Sequence, residues 1–383
     1  MKSPFALMTL AAMATACGGS LPGRDQPLSH LSPLAEDLAC DDYHVDDGSE
    51  EGHWTHLGCT GLYANWSQRI LNEGVSSFTP GYELWSDGAS KNRWIFLPPG
   101  TRIDNGGDGQ SGSMDGWIFP VGTRAWKQFS FGDRLVETRL LWKRTNGWFE
   151  TTYLWSSDYS SAIELTSGLL VEGEDAEGPR FQIPSSATCV RCHDGAPDTL
   201  LGFEAINLST PRAQGLTLAE LSRQDLLTQI PDQPYLVPGD PDAEASLGWL
   251  HANCGAACHN QRIFPDPFRM RLRLQTDQLD AVESTQTWQT AVNQATEYWP
   301  LVPCATGPWK RISPSNPACS TLAYRDSIRD PYPGSLLNQM PPLLSHRVPV
   351  DAVETVRRWI ASIPAEGRIP PAATADVSAL GRR

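Results

Sequence analysis

Residues 137–144 read Glu-Thr-Arg-Leu-Leu-Trp-Lys-Arg. Apolar and charged side chains are mixed along this stretch, as on a half-exposed strand. Stretches of the same character surround it. Residues 93–97 end at Pro98-Pro99-Gly100, residues 117–119 end at Pro120, and residues 126–131 and 148–155 follow. Gly, Asn and Asp separate them, as turns require. Residues 61–183 therefore read as an antiparallel, sandwich-like β domain. Its aromatic residues fill the core of that domain rather than stack on a sugar.

Composition agrees. The chain has 383 residues, with 14 Trp, 32 Gly and 31 Pro, which favours short strands and turns and leaves room for two or three domains. The formal net charge of −14 disfavours a phosphate backbone as partner. A basic protein partner or a neutral small redox molecule is permitted. The N-terminus opens with Lys2 and an apolar run over residues 5–16, too short to span a bilayer. It reads as an export signal. Ala14-Thr15-Ala16-Cys17 closes it and resembles the lipobox of bacterial lipoproteins, with Ala14 where a branched residue is usual. Lipid on Cys17 would then be the chain's one membrane attachment.

Residues 18–60 are polar and acidic, and read as a tether followed by a closed loop. His44, His53 and His56 lie there among acids and read as surface groups rather than a metal site. Asp104 to Gly109, with Asp115 further on, has part of a calcium-loop pattern. Gly106 stands where a ligand is needed, so a Gly-rich turn is the better reading. Beyond Pro184 the pattern turns helical. Residues 184–245 are expected to form one region, holding the cysteine motif that begins at Cys189, and 246–365 a domain with an insertion at 263–335. Residues 366–383 read as a flexible tail. Helices are expected over residues 216–229, leading into Cys254, and over 351–363. In the last, Asp351 caps and Glu354 completes a capping box.

The chemistry lies in the cysteines. Cys189-Val190-Arg191-Cys192-His193 has the spacing of a c-type haem attachment, two thiols for the vinyl groups and a following imidazole for iron. Cys254-Gly255-Ala256-Ala257-Cys258-His259 repeats the pattern with one extra residue between the thiols. Met340, 81 residues beyond His259 in Asn-Gln-Met-Pro-Pro, suits a second axial ligand. The expected cofactor is haem c, one at the first motif and a second at the other. His251 and Met270 are candidates for the first iron's distal side. Of nine Cys, Cys17 takes lipid and four take haem. The remaining four lie close in sequence as Cys40/Cys59 and Cys304/Cys319, two disulfides by proximity.

On these residues, positions 246–363 resemble a class I cytochrome c domain. Positions 80–363 resemble bacterial dihaem c-type cytochromes with a Trp-rich β region. The matching stretches are Glu83 to Ala89, Arg93-Trp94-Ile95, Phe119 to Thr123, Glu137 to Leu141, Pro184-Ser185, Leu201-Gly202-Phe203 and Asn253-Cys254. The resemblance implies a β domain followed by mainly α, cytochrome c-like haem domains. It also implies haem bound by Cys189, Cys192, His193, Cys254, Cys258, His259 and Met340. The expected function is electron transfer outside the cytoplasm, in the periplasm or at the outer membrane. The rival readings are a haem peroxidase or oxidase component with an open iron, and a non-redox lipoprotein whose Cys motifs are structural.

Overall fold

The computed structural model describes residues 34–106, 113–171, 181–193, 198, 200–260, 269–298, 300, 303–329 and 338–366. Cys17 and the rest of the expected N-terminal signal lie outside them, as do residues 107–112 of the expected Gly-rich turn and 367–383 of the expected tail.

Two short ribbons open the described chain, β1 (His44–Val45) with β2 (His53–Trp54) and β3 (Tyr63–Asn65) with β4 (Ile70–Leu71). Strands β5 (Val75–Thr79), β6 (Ser90–Phe96), β7 (Arg124–Phe131), β8 (Arg134–Arg144), β9 (Gly147–Trp155) and β10 (Ala162–Glu164) follow. The ribbon of β11 (Leu169–Val171) and β12 (Phe181–Ile183) comes next, then β13 (Gln214–Gly215). One seven-stranded antiparallel sheet runs in the order β10-β9-β8-β7-β6-β5-β13. The 137–144 stretch lies inside its longest strand, β8.

The helices are α1 (Ser186–His193), α2 (Ala205–Ser209), α3 (Leu218–Arg223), α4 (Pro241–Leu250), α5 (Gln286–Ala291), α6 (Thr321–Asp326) and α7 (Val350–Ser362). Even the longest has 13 residues. This corrects the expected fold class. The described chain is built on one large antiparallel sheet with a few short helices, and its C-terminal half is not a mainly α, cytochrome c-like domain.

Local chemistry explains why the helices stop early. The run expected over 216–229 ends at Arg223, because Asp225 takes a left-handed φ of 57° and Leu226 N–H closes back on the Leu221 carbonyl. Residues 117–119 bury Trp117 and Phe119 but pair only through an isolated bridge, Asp104 with Ile118. Helix α7 lies where the apolar spacing put it, with Val353, Val356, Trp359 and Ile360 buried. Its cap differs. Pro349 precedes the helix, and Asp351 lies in the first turn without capping it.

One face of the sheet carries the Trp-rich core. Trp126, Trp142, Tyr153 and Trp155 pack with Trp54, Trp66 and Leu57. The disulfide Cys40–Cys59 closes the loop beneath, with Cα atoms 5.5 Å apart, and Cys304–Cys319 closes a second, at 5.6 Å. Arg124, 1% exposed, lies 4.4 Å over the Trp142 ring and donates to the Thr60 carbonyl at 2.7 Å. On the other face, Ile95 and Phe78 join Phe203, Leu208, Leu216 and Leu221 in one cluster. The strands and the segment after the first Cys motif thus share a core. The C-terminal helices build another around Leu247, Leu250 and Trp359, which Tyr82 also enters.

Candidate functional site

Helix α4 starts at an Asp240 cap that accepts from Ala243 N–H, with Pro241 at the first helical position. It runs directly into a π-helical turn, His251–Gly255. Ala256 N–H reaches back to the His251 carbonyl at 2.8 Å, and His259 N–H to the Cys254 carbonyl at 2.8 Å, both five residues apart. The wider turn accommodates the extra residue of the Cys254 to Cys258 spacing, and both cysteines reach the same cavity. Gly255 is required here. A Cβ on it would come within 2.3 Å of the Arg273 backbone nitrogen.

That cavity has a volume of about 380 Å³. Leu250, Cys254, Cys258 and His259 line it from the α4 side, and Met270 and Leu272 from the following segment. Leu322, Arg325 and Asp326 of α6, Met340-Pro341-Pro342, and Glu297 with Arg311 line it as well. Met340 is held by its N–H donating to the Arg325 carbonyl at 2.9 Å. The structure therefore brings Cys254, Cys258, His259 and Met340 around one mostly apolar space. Arg325 and Asp326 belong to the same wall. No spacing in the sequence ties them to the cysteines, so they escaped the sequence reading.

Asp326 is 5% exposed. Burial raises its carboxyl from 3.8 to about 6, against the pull of Arg329. The folded state thus holds a proton there that the unfolded chain has already released. The associated stability is fully present below pH 3.8 and is lost as pH rises through about 6. Asp326→Asn is expected to raise stability by roughly 3 kcal/mol at pH 7.5 and by almost nothing at pH 4. Denaturant melts at the two pH values check this, and an equal gain at both contradicts it.

The first motif sits elsewhere. Cys189, Cys192 and His193 lie on α1, which packs on β9, with Arg139 within electrostatic reach of both thiols. Burial pushes the Cys189 thiol up to about 11, reinforced by Glu150 and Glu137 and opposed by Arg139. Burial likewise raises the Cys254 thiol well above its usual range. Both groups are resident as thiols rather than thiolates at neutral pH.

The expectation of haem c is corrected. Among the described residues, no group of three or more His, Cys, Asp or Glu side chains is placed to hold a metal ion, at either Cys motif or elsewhere. The surrounding fold is mostly β with few helices. His44, His53 and His56 do not converge. His53 bridges Asp47 at 3.1 Å and Glu164 at 3.2 Å, while His56 accepts from Gly58 N–H at 3.0 Å. Burial, helped by Arg69, lowers the His56 ring to about 4. Asp115 accepts from the N–H and hydroxyl of Thr276 at 2.8 and 3.1 Å.

His251 has both ring nitrogens engaged. Leu274 N–H donates to Nδ1 at 3.0 Å, and Nε2 lies 3.2 Å from Glu204. Glu204 also accepts from Ile206 and Asn207 N–H at the start of α2. Burial works to raise its carboxyl, but His251, Arg273 and the Asn207 N–H together hold it at about 2. This pair crosslinks α2 to the π turn and lines a second, much smaller cavity. Met270 lines the large cavity. No described helix is long and apolar enough to cross a membrane. Protein-family models, characterised proteins and solved structures offer no match to this chain.

Proposed function

We propose that the chain is an exported electron-transfer protein. The cavity of Cys254, Cys258, His259 and Met340 is where a small redox molecule would dock. The observation that carries this reading is the meeting of four polarisable groups, two thiols, an imidazole and a thioether, on a cavity of about 380 Å³. A volume of that order suits a bound small molecule. Sulfur side chains are soft, polarizable contacts for a π system. The walls are mostly apolar, with Glu297, Arg311, Arg325 and Asp326 among them, so a charge change on the ligand is felt inside.

The apolar N-terminal run and Cys17 support delivery across the cytoplasmic membrane and a lipid tether at the periplasmic or outer-membrane surface. Electrons would pass to a protein partner or small redox molecule without bond formation on the chain. Kinship with bacterial cytochromes that carry a Trp-rich β region is proposed on the quoted stretches alone, with no haem assigned to this chain.

The test is an absorption difference spectrum of protein purified from the exported fraction, oxidised with ferricyanide and reduced with dithionite. A reversible difference is expected in the native chain. Cys254→Ser/Cys258→Ser/Met340→Leu should lose it while retaining a cooperative melt. No difference between the oxidised and reduced native protein would overturn the reading.

A further inference from the structure

Both arginines on the wall of the Cys254 cavity already have partners. Arg311 holds Glu297 in a bidentate pair, and its Nη1 donates to the carbonyls of Arg269 and Thr290 at 3.1 and 2.6 Å. Arg325 lies 4.3 Å over the Tyr298 ring, and its Nε donates to the Asn338 carbonyl at 3.0 Å. The Tyr298 hydroxyl is engaged as well, 2.7 Å from Asn338 Oδ1. A phosphate would have to displace these partners, which counts against redox groups carried on nucleotides.

Asp326 differs. It lines the same cavity from α6, is 5% exposed, and its buried Oδ2 makes no hydrogen bond. Natural proteins rarely bury a carboxyl oxygen without a partner. Arg329 and Trp249 pull on this carboxyl, but neither lines the cavity, and the buried indole N–H of Trp249 closes no hydrogen bond. Burial keeps the carboxyl protonated in mildly acidic solution, so it has an O–H to give as well as an oxygen. Around it the cavity is mostly apolar, with Leu250, Leu272, Leu322 and Met340 on its walls.

We propose that this cavity binds a quinone, one ring carbonyl accepting a hydrogen bond from the Asp326 carboxyl and the ring lying against Leu250, Leu272, Leu322 and Met340. The inference rests on the reading that a small redox molecule docks here, and names its class. A quinone is neutral, which suits walls whose arginines are engaged. It is mostly apolar, which suits the rest of the lining. Its carbonyl oxygen is the partner that a buried carboxyl otherwise lacks.

The experiment is equilibrium dialysis of the full chain at pH 5 against duroquinone, whose methyl groups block thiol addition to the ring. Durene, the same methylated ring without oxygen, is the control. The native chain should bind duroquinone saturably and durene about tenfold more weakly, since durene leaves the carboxyl unpaired. Asp326→Asn keeps a donor in place and should retain that preference. Asp326→Leu, checked for a cooperative melt, should bind the two equally. The comparison within the native chain needs no variant. Equal binding of the two by the native chain, a preference kept in Asp326→Leu, or no duroquinone bound would each overturn the proposal. A reversible absorption difference without bound duroquinone overturns this inference and leaves the redox reading standing. Bound duroquinone without that difference supports the site and overturns the redox reading alone.

Discussion

Trp359→Ala is expected to cost about 3–5 kcal/mol of unfolding free energy, as for large-to-small changes in a well-packed core. Trp359 is 1% exposed and packs within the cluster of Leu247, Leu250, Ile312 and Val356, where α7 meets α4. Its indole N–H has no hydrogen-bond partner, so the loss is packing alone. Helix α4 leads into the turn that carries Cys254, so loosening α7 should also open the cavity. Denaturant titration measures the first effect. The rate of maleimide labelling at Cys254, in a Cys258→Ser background, measures the second. A loss under about 1 kcal/mol would show that α7 is not the keystone of this half.

Glu137→Gln should cost a similar amount, about 3–5 kcal/mol, through electrostatics rather than volume. Glu137 is fully buried and is the bidentate acceptor for Arg139. Neutralising it leaves Arg139 beside Lys127 and Arg93 with its main counter-charge gone, in a cross-strand row where like charges already face one another. Truncating both partners should recover most of that loss, because the unpaired charge is what destabilises. The cycle of Glu137→Gln, Arg139→Met and the double variant decides the matter. Additive losses, with no recovery in the double variant, would mean that Glu137 acts by local packing and that the row is not an electrostatic unit.

Both predictions concern positions whose importance the sequence showed only in part. The apolar spacing of Val353, Val356, Trp359 and Ile360 announced a helix with one buried face, because a 3.6-residue period is local information. What that face would meet was not visible. The cation row was partly legible. Lys91 and Arg93 stand two residues apart in a strand, so period two places them on one face. That Arg93, Lys127 and Arg139 would align across three strands depended on register, set by turns and long-range pairing.

At the cysteines the division is similar. The two Cys motifs, and the cysteines close enough in sequence to be joined, were readable as spacings. Their surroundings were not. The π turn that answers the extra residue after Cys254, the approach of Met340 to the same cavity, and the burial that keeps Cys189 and Cys254 protonated all come from contacts between distant segments. The expectation of helical haem domains failed for the same reason. Short motifs specify chemistry at a point, while the layers around that point follow from which strands pair.

The amino-acid order alone therefore determined where strands β6 to β9 and helix α7 form and which soft donors the chain carries. It did so because backbone periodicity and turn propensity act over a few neighbouring residues. The tertiary structure alone decided which donors share a cavity, which charges are left facing one another, and how far burial shifts Asp326 and the thiols. Desolvation and Coulomb forces depend on what packing places nearby, and packing joins residues that the chain keeps far apart.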